Sequence, residues 1–187
     1  MDDISSKAPR GTPNEGGWTH AAMRPIAWWQ NVTAKHQPIM LIVTAWALLV
    51  LPLVFLRGFN SDDGVAVTIA RTAIENGDWL TPHMFNIRFV ERPTLLSWII
   101  AAISLPFGIP TQITARLPII LSVLGGALLI FGFLKPRVSL PAAVFGAVLF
   151  LACPLMLRYY VTVTADLPLA VVLFAAFVLW WNAAEHR

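Results

Sequence analysis

The chain has 187 residues, 57% of them hydrophobic and 12% charged, with 13 Lys and Arg against 10 Asp and Glu. Soluble domains carry about 25% charged residues, so this chain has too few ionisable side chains to cover a water-facing surface of its size. That disfavours a soluble enzyme, a nucleic-acid binder and a disordered polymer. The one cysteine, Cys153, excludes an internal disulfide or a Cys-based zinc site.

The predicted elements follow from where charge is missing. Residues 1–37 hold Lys7, Arg10, Arg24 and Lys35 among Gly, Pro, Ser and Asn, which reads as a largely disordered tail. The positive-inside rule puts it on the cytoplasmic side. Five uncharged runs follow: 38–56, 93–115, 117–134, 138–157 and 167–184. A span needs about 20 apolar residues. In the second run the apolar part, Thr94–Leu105, is only about 12 residues, or about 18 Å of helix, before Pro106, Gly108 and Pro110 interrupt it. It reads as a helix lying in the interface, with Trp98 at headgroup depth. The fold class predicted is therefore an all-α integral membrane protein. It has about four transmembrane helices, near 38–56, 117–134, 138–157 and 167–184, plus two interfacial helices in an external loop over 57–116.

Four spans put Lys135 and Arg137 in a short cytoplasmic loop, as the charge rule prefers. A fifth span would separate Asp166 from Asp62 across the bilayer. Within the external loop, Ser61-Asp62-Asp63 opens a helix over about 62–76, with Val65, Ile69, Ala73 and Ile74 at helical spacing and Asn76-Gly77 as its stop. The second interfacial helix covers about 94–105. Gly125-Gly126 marks a place for close helix packing.

Few residues could carry chemistry. Asp62 and Asp63 read either as helix caps or as a base or metal ligand at the membrane surface. Glu91-Arg92-Pro93 reads as a solvated ion pair before a Pro at a helix start, or as an Arg92 fork on an anionic lipid headgroup. Arg116 and Asp166 stand at the external ends of spans, where ionisable groups are either functional or free to reach water. Arg158, Tyr159 and Tyr160 read as an interfacial belt. Asn31-Val32-Thr33 matches a glycosylation acceptor but lies on the side predicted cytoplasmic. His20, His36, His83 and His186 lack metal-ligand spacing. No metal or other cofactor is predicted.

In order, the segments Asp62-Asp63-Gly64 to Ala70-Arg71, Glu75-Asn76-Gly77-Asp78-Trp79-Leu80-Thr81-Pro82, Glu91-Arg92-Pro93-Thr94-Leu95, Ala115-Arg116-Leu117-Pro118, and Cys153-Pro154-Leu155 through Thr164-Ala165-Asp166-Leu167-Pro168 resemble the polyprenyl-phosphate-sugar glycosyltransferases. This is the GT-C branch that holds protein O-mannosyltransferases and lipid A aminoarabinose transferases. The resemblance spans about 38–184. It implies inverting transfer of a sugar from a polyprenyl-phosphate donor to a protein or glycolipid acceptor, at the outer face of the cytoplasmic membrane.

Carried over by position, Asp62 is the expected general base and Asp166 the second catalytic acid. Asp63, Glu91, Arg92 and Arg116 are the expected substrate-binding set, Glu91 and Arg92 near the donor phosphate. Asp63 stands where the family has Glu, Gly64-Val65-Ala66 lacks its Tyr, and Arg92-Pro93-Thr94 replaces Lys-Pro-Pro. Family members are several times longer. The resemblance therefore implies a fragment, a truncated product or one part of a split enzyme, inactive alone and completed by a C-terminal half or a partner subunit. The alternative is a non-catalytic subunit that binds polyprenyl lipid. The expected partners are the polyprenyl-linked sugar donor, membrane lipids and the acceptor, with no nucleic acid.

Overall fold

The computed structural model describes residues 19–185 apart from 57, 60, 86, 90–92 and 161, with side chains from His36 onward except at 61, 62, 155, 156 and 158. The chain divides into two compact units, Met1–Gln37 and Pro38–Arg187. Helix α1 is Thr19–Leu56. The described part of the first unit is thus helical, where the sequence predicts irregular chain; residues 1–18 and the charges expected there lie outside the described residues.

In the second unit, the elements after α1 are α2 (Ser61–Asn76), a two-stranded hairpin of β1 (His83–Met84) and β2 (Ile87–Arg88), and α3 (Leu95–Ser104), which runs into a 3-10 turn at Leu105–Phe107. Then come α4 (Gln112–Leu134), α5 (Leu140–Ala152), α6 (Pro154–Tyr159) and α7 (Asp166–Glu185). The two loop helices thus form within one or two residues of the predicted 62–76 and 94–105.

Among the described residues three helices are long and apolar enough to cross a membrane: His36–Leu56, Gln112–Leu134 and Asp166–Glu185. The fourth predicted span, 138–157, is not one continuous helix. It is two helices, α5 and α6, of 13 and 6 residues. The break is at Cys153, whose backbone is extended (φ −62°, ψ 121°). Pro154 causes it, because a prolyl ring clashes with a helical residue before it. Helix α4 starts before the predicted 117 because Thr111 and Thr114 form a reciprocal capping box.

Contacts fix the direction of each helix. Trp46 Nε1 donates to Ile120 O (2.9 Å) and Arg116 Nη1 to Val54 O (2.6 Å), so α1 and α4 are antiparallel. Gly126 faces Val171, the Phe133 and Phe174 rings meet at 6.0 Å, and Arg137 pairs with Glu185, so α4 and α7 are parallel. Phe150 beside Gly126 and Leu134 beside Gly146 make α5 antiparallel to α4. The C-terminal end of α1 and the N-terminal ends of α2, α4 and α7 therefore gather at one end of this unit.

The packing suits a bilayer. Lipid tails are as apolar as Leu, so helices in them associate through close contact more than through water exclusion. Helix α5 buries Ala143, Ala147 and Leu151, one face at every fourth residue, and α4 buries Gly126, Ala127 and Phe131. A Cβ at Gly126 would meet Phe150 and Val171 at 3.1–3.3 Å, whereas one at Gly125 would meet nothing within 4 Å. Only the second glycine of the pair serves the close approach. Leu48, Phe145, Leu149, Val172, Leu173 and Leu179 are exposed, a surface suited to hydrocarbon. Tyr160, expected in an interfacial belt, is instead fully buried and donates to Phe150 O (3.0 Å) and Leu151 O (3.2 Å) at the end of α5.

Candidate functional site

Two buried polar contacts define the end where the helix starts converge. The first is Arg116, 1% exposed although it carries a full charge. Its Nη1 donates to Val54 O (2.6 Å) and its Nη2 to Gly58 O (2.9 Å), and the guanidinium lies 5.7 Å from the Phe59 ring centre. Val54 belongs to the last turn of α1, whose final carbonyls lack partners within the helix. A fixed cation is favourable at this negative helix end. The guanidinium fork reaches both carbonyls at once, as an ammonium could not.

The second contact is Asp63, also 1% exposed. Its Oδ1 accepts the backbone N–H of Val163 at 2.5 Å, across 100 residues of sequence. A charge-assisted bond of this kind contributes about 1.5–3 kcal/mol. It ties the first turn of α2 to the segment leading into α7. Between Gly58 and Asp63 lie only residues 59–62, so the backbone at Asp62 is held from both sides.

Beside this junction is a pocket of about 370 Å³ lined by α2 (Val65, Ala66, Ile69), by Pro93, Leu96 and Ser97, and by the run Val163–Asp166. Asp166 is exposed and stands in the first turn of α7, where a carboxylate complements the helix dipole. Thr164 Oγ1 is buried with no hydrogen-bond partner among the described residues. Ser97, 3% exposed, also lines the pocket. The pocket thus has an apolar floor and a few polar groups, the usual make-up of a small-ligand site.

Several expected site residues come together and some do not. The helix start that carries Asp62 and the pocket-lining Asp166 share this end, although the side chain of Asp62 is not described. Glu91 and Arg92 lie outside the described residues; Pro93, next in the chain, lines the pocket. Asp63 and Arg116, expected to bind substrate, are both buried, and each makes the backbone contacts given above. Thr164 and Ser97 were not singled out from the sequence. An uncharged hydroxyl between apolar helices carries no signal until its neighbours are known.

Trp98, expected at headgroup depth, donates from Nε1 to Trp79 O at 2.6 Å, so its polar edge is used inside the loop domain. Ser104 Oγ donates to Thr114 Oγ1 (2.8 Å) and joins the end of α3 to the start of α4. Burial raises the Tyr160 hydroxyl well above its ordinary pKa of 10.0, with nearby Cys153 adding to the effect, so it stays a donor in any ordinary buffer.

Comparison with known proteins decides the lineage. The profile of the dolichyl-phosphate-mannose-protein mannosyltransferase family matches residues 91–187, slightly more than half of the chain. The chain belongs to this family. Its GT-C relatives include the undecaprenyl phosphate-alpha-4-amino-4-deoxy-L-arabinose arabinosyl transferase of Enterobacter sp. (strain 638), 27% identical over 152 residues, 80% of this chain and 27% of that protein. A second such transferase, from Proteus mirabilis (strain HI4320), is 34% identical over 73 residues, 39% of this chain and 13% of that protein. The crystal structure of ArnT from Cupriavidus metallidurans bound to undecaprenyl phosphate is similar in fold, with a TM-score of 0.67 at 24% identity over 76% of this chain and 26% of that one. The chain therefore spans about a quarter of the length of these full proteins. The fold shared with that structure is an all-helical membrane architecture.

Proposed function

We propose that this chain takes part in moving a sugar from a polyprenyl-phosphate donor to an envelope acceptor, a protein or a glycolipid, at the outer face of the cytoplasmic membrane. The observation that carries the reading is the pocket at the head of α7, with Asp166 and the unpaired Thr164 hydroxyl on its wall and the start of α2 and Pro93 beside it. Family membership and the lipid named with the ArnT structure support the donor class.

In this reading the Asp62 carboxylate takes the proton of an acceptor hydroxyl. The hydroxyl oxygen attacks the anomeric carbon from the face opposite the phosphate, and the bond from that carbon to the phosphate oxygen breaks. The electron pair leaves on polyprenyl phosphate, and the anomeric configuration inverts. A base can act only within hydrogen-bond reach of the proton it removes, which is why the backbone at residue 62 needs to be held. Arg92, with Glu91 beside it, meets the charge that develops on the phosphate. Asp166 orients the donor sugar. Asp63 and Arg116 keep the frame in register without touching substrate. The N-terminus lies on the cytoplasmic side, as its Lys and Arg content favours.

The test is Asp62→Asn in the complete enzyme, followed by sugar transfer and by binding of undecaprenyl phosphate. Transfer is expected to fall by at least about 100-fold, the usual contribution of a general base, with lipid binding retained. Unchanged turnover sinks the assignment. Lipid binding that depends on Arg92 and Arg116, without turnover in any assembled form, supports the non-catalytic alternative instead.

A further inference from the structure

On α2, the face turned away from Ile69, Ala70 and Ala73 carries Thr68, Arg71, Thr72, Glu75 and Asn76. Together with Phe85 these six residues enclose a cleft of about 450 Å³ that shares no lining residue with the pocket at α7. We propose that this cleft binds a neutral pyranose ring. As an acceptor subsite it rests on the sugar-transfer reading above; as a saccharide site it stands on the following geometry.

Phe85 is the decisive feature. It occupies the turn between β1 and β2 with φ +50°. A two-residue hairpin turn demands positive φ and favours Gly, Asn or Asp there, because a bulky side chain strains that backbone. The ring recovers little by packing, since the residue is 77% exposed. Backbone strain of this kind persists where function uses it, and here it holds an aromatic plate beside polar groups. The ring can stack on the C–H face of a sugar.

The polar side matches the hydroxyl edge of such a ring. Arg71 Nε is bonded to Glu75 Oε1 at 2.6 Å, while the two Nη groups make no hydrogen bond to a described residue. The pair therefore offers donors and an acceptor together at zero net charge. That suits adjacent hydroxyls, each of which donates one bond and accepts others. Asn76 adds an amide with both capacities. Thr72 Oγ1 donates to Thr68 O (2.9 Å), which leaves its lone pairs as acceptors. The cleft volume falls within the range of small-ligand pockets.

Saturation-transfer NMR on the chain in lipid nanodiscs tests the proposal, with methyl α-mannopyranoside and methyl β-glucosaminide as probes. Saturation is expected on the ring C–H protons of one face, with millimolar affinity for at least one probe. Phe85→Gly and Phe85→Leu are each expected to weaken binding tenfold or more, and Phe85→Trp to retain it. Glu75→Gln is expected to weaken it about fivefold. Phe85→Gly relaxes the turn, so its thermal stability is expected to hold or rise, which separates lost binding from lost folding. Undecaprenyl phosphate binding in the same samples reports on the other pocket and is expected not to change. No transfer to either probe, or equal transfer with Phe85→Gly or Phe85→Leu, overturns the sugar site and leaves the donor reading untouched. Absence of lipid binding in the complete enzyme, with saturation transfer to the sugar probes intact, breaks the donor reading alone.

Discussion

Arg116 and Arg137 sit near opposite ends of α4, and both donate to helix carbonyls, yet they do different work. Arg116 is buried and reaches carbonyls about 60 residues away, at the end of α1. Arg137 donates to Phe133 O of its own helix at 2.7 Å, lies 4.1 Å from the Phe133 ring centre and pairs with Glu185, whose side chain is 49% exposed. A charge removed from water is held only if all around it is arranged, whereas a charge at the rim has water as an alternative. The end carrying the candidate site is thus built from buried contacts that are costly to break. The other end is built from contacts that cost less.

The comparison breaks most visibly at Arg116. Arg116→Met removes both donors and strands the Val54 and Gly58 carbonyls in a buried place. We expect a loss of about 3 kcal/mol in stability, from two bonds to a charged group. Arg116→Lys is expected to recover less than half, since an ammonium cannot fork onto both oxygens. Unfolding in mixed detergent and SDS micelles measures both. A cost below about 1 kcal/mol for the Met variant would mean that the buried arginine is not a clamp.

Asp63 comes next. Asp63→Ala is expected to cost about 2 kcal/mol through the orphaned Val163 N–H, and Asp63→Asn about half as much, because the amide oxygen still accepts. The neighbouring Asp62→Asn is expected to leave stability unchanged while abolishing transfer in the complete enzyme. Adjacent aspartates would then divide into one that holds the frame and one that acts. Equal stability losses at both positions would erase that division.

These residues also show what could be read from the sequence and what could not. The spans His36–Leu56 and Asp166–Glu185 were legible because a lack of charge over about 20 residues is itself the physical requirement for crossing a bilayer. Helices α2 and α3 were legible from Ser61-Asp62-Asp63, Asn76-Gly77 and the prolines after Leu105. The break at Cys153 was missed because counting uncharged residues ignores what Pro154 does to its predecessor. Arg116 could be named as a charge out of place, but its partners are backbone carbonyls, which look alike at every position. For the same reason nothing in the sequence tells that Asp63 turns inward; that depends on Val163, 100 residues away. Tyr160 was assigned to a surface belt by its type, and only the exposed carbonyls at the broken end of α5 explain why it is inside.

Tyr160 offers a test by pH at the same end of the molecule. Burial raises its pKa above the ordinary 10.0, so above pH 10 the folded state keeps a proton that the unfolded chain releases. Stability from this group is complete below pH 10 and declines as pH rises toward the folded pKa. Tyr160→Phe is expected to cost about 1 kcal/mol at neutral pH, for the bonds to Phe150 O and Leu151 O. It should also flatten the alkaline decline. A parallel decline in both proteins would assign the alkaline effect to another group.

The smallest effect belongs to the rim. Glu185→Gln removes the acid that Arg137 faces, but Arg137 keeps Phe133 O, the Phe133 ring and Asn182 Oδ1. Exposed ion pairs typically contribute about 0–1 kcal/mol, so the change is expected to be about 0.5 kcal/mol or less, and smaller still in high salt. Arg137→Ala should cost more, about 1 kcal/mol, because it also removes the cation–ring contact. A Glu185→Gln loss as large as that of Arg116→Met would mean that the ion pair at this end is shielded from water. The contrast between a sealed end and a yielding end would then have to be replaced by one in which both ends of α4 are held by buried charge.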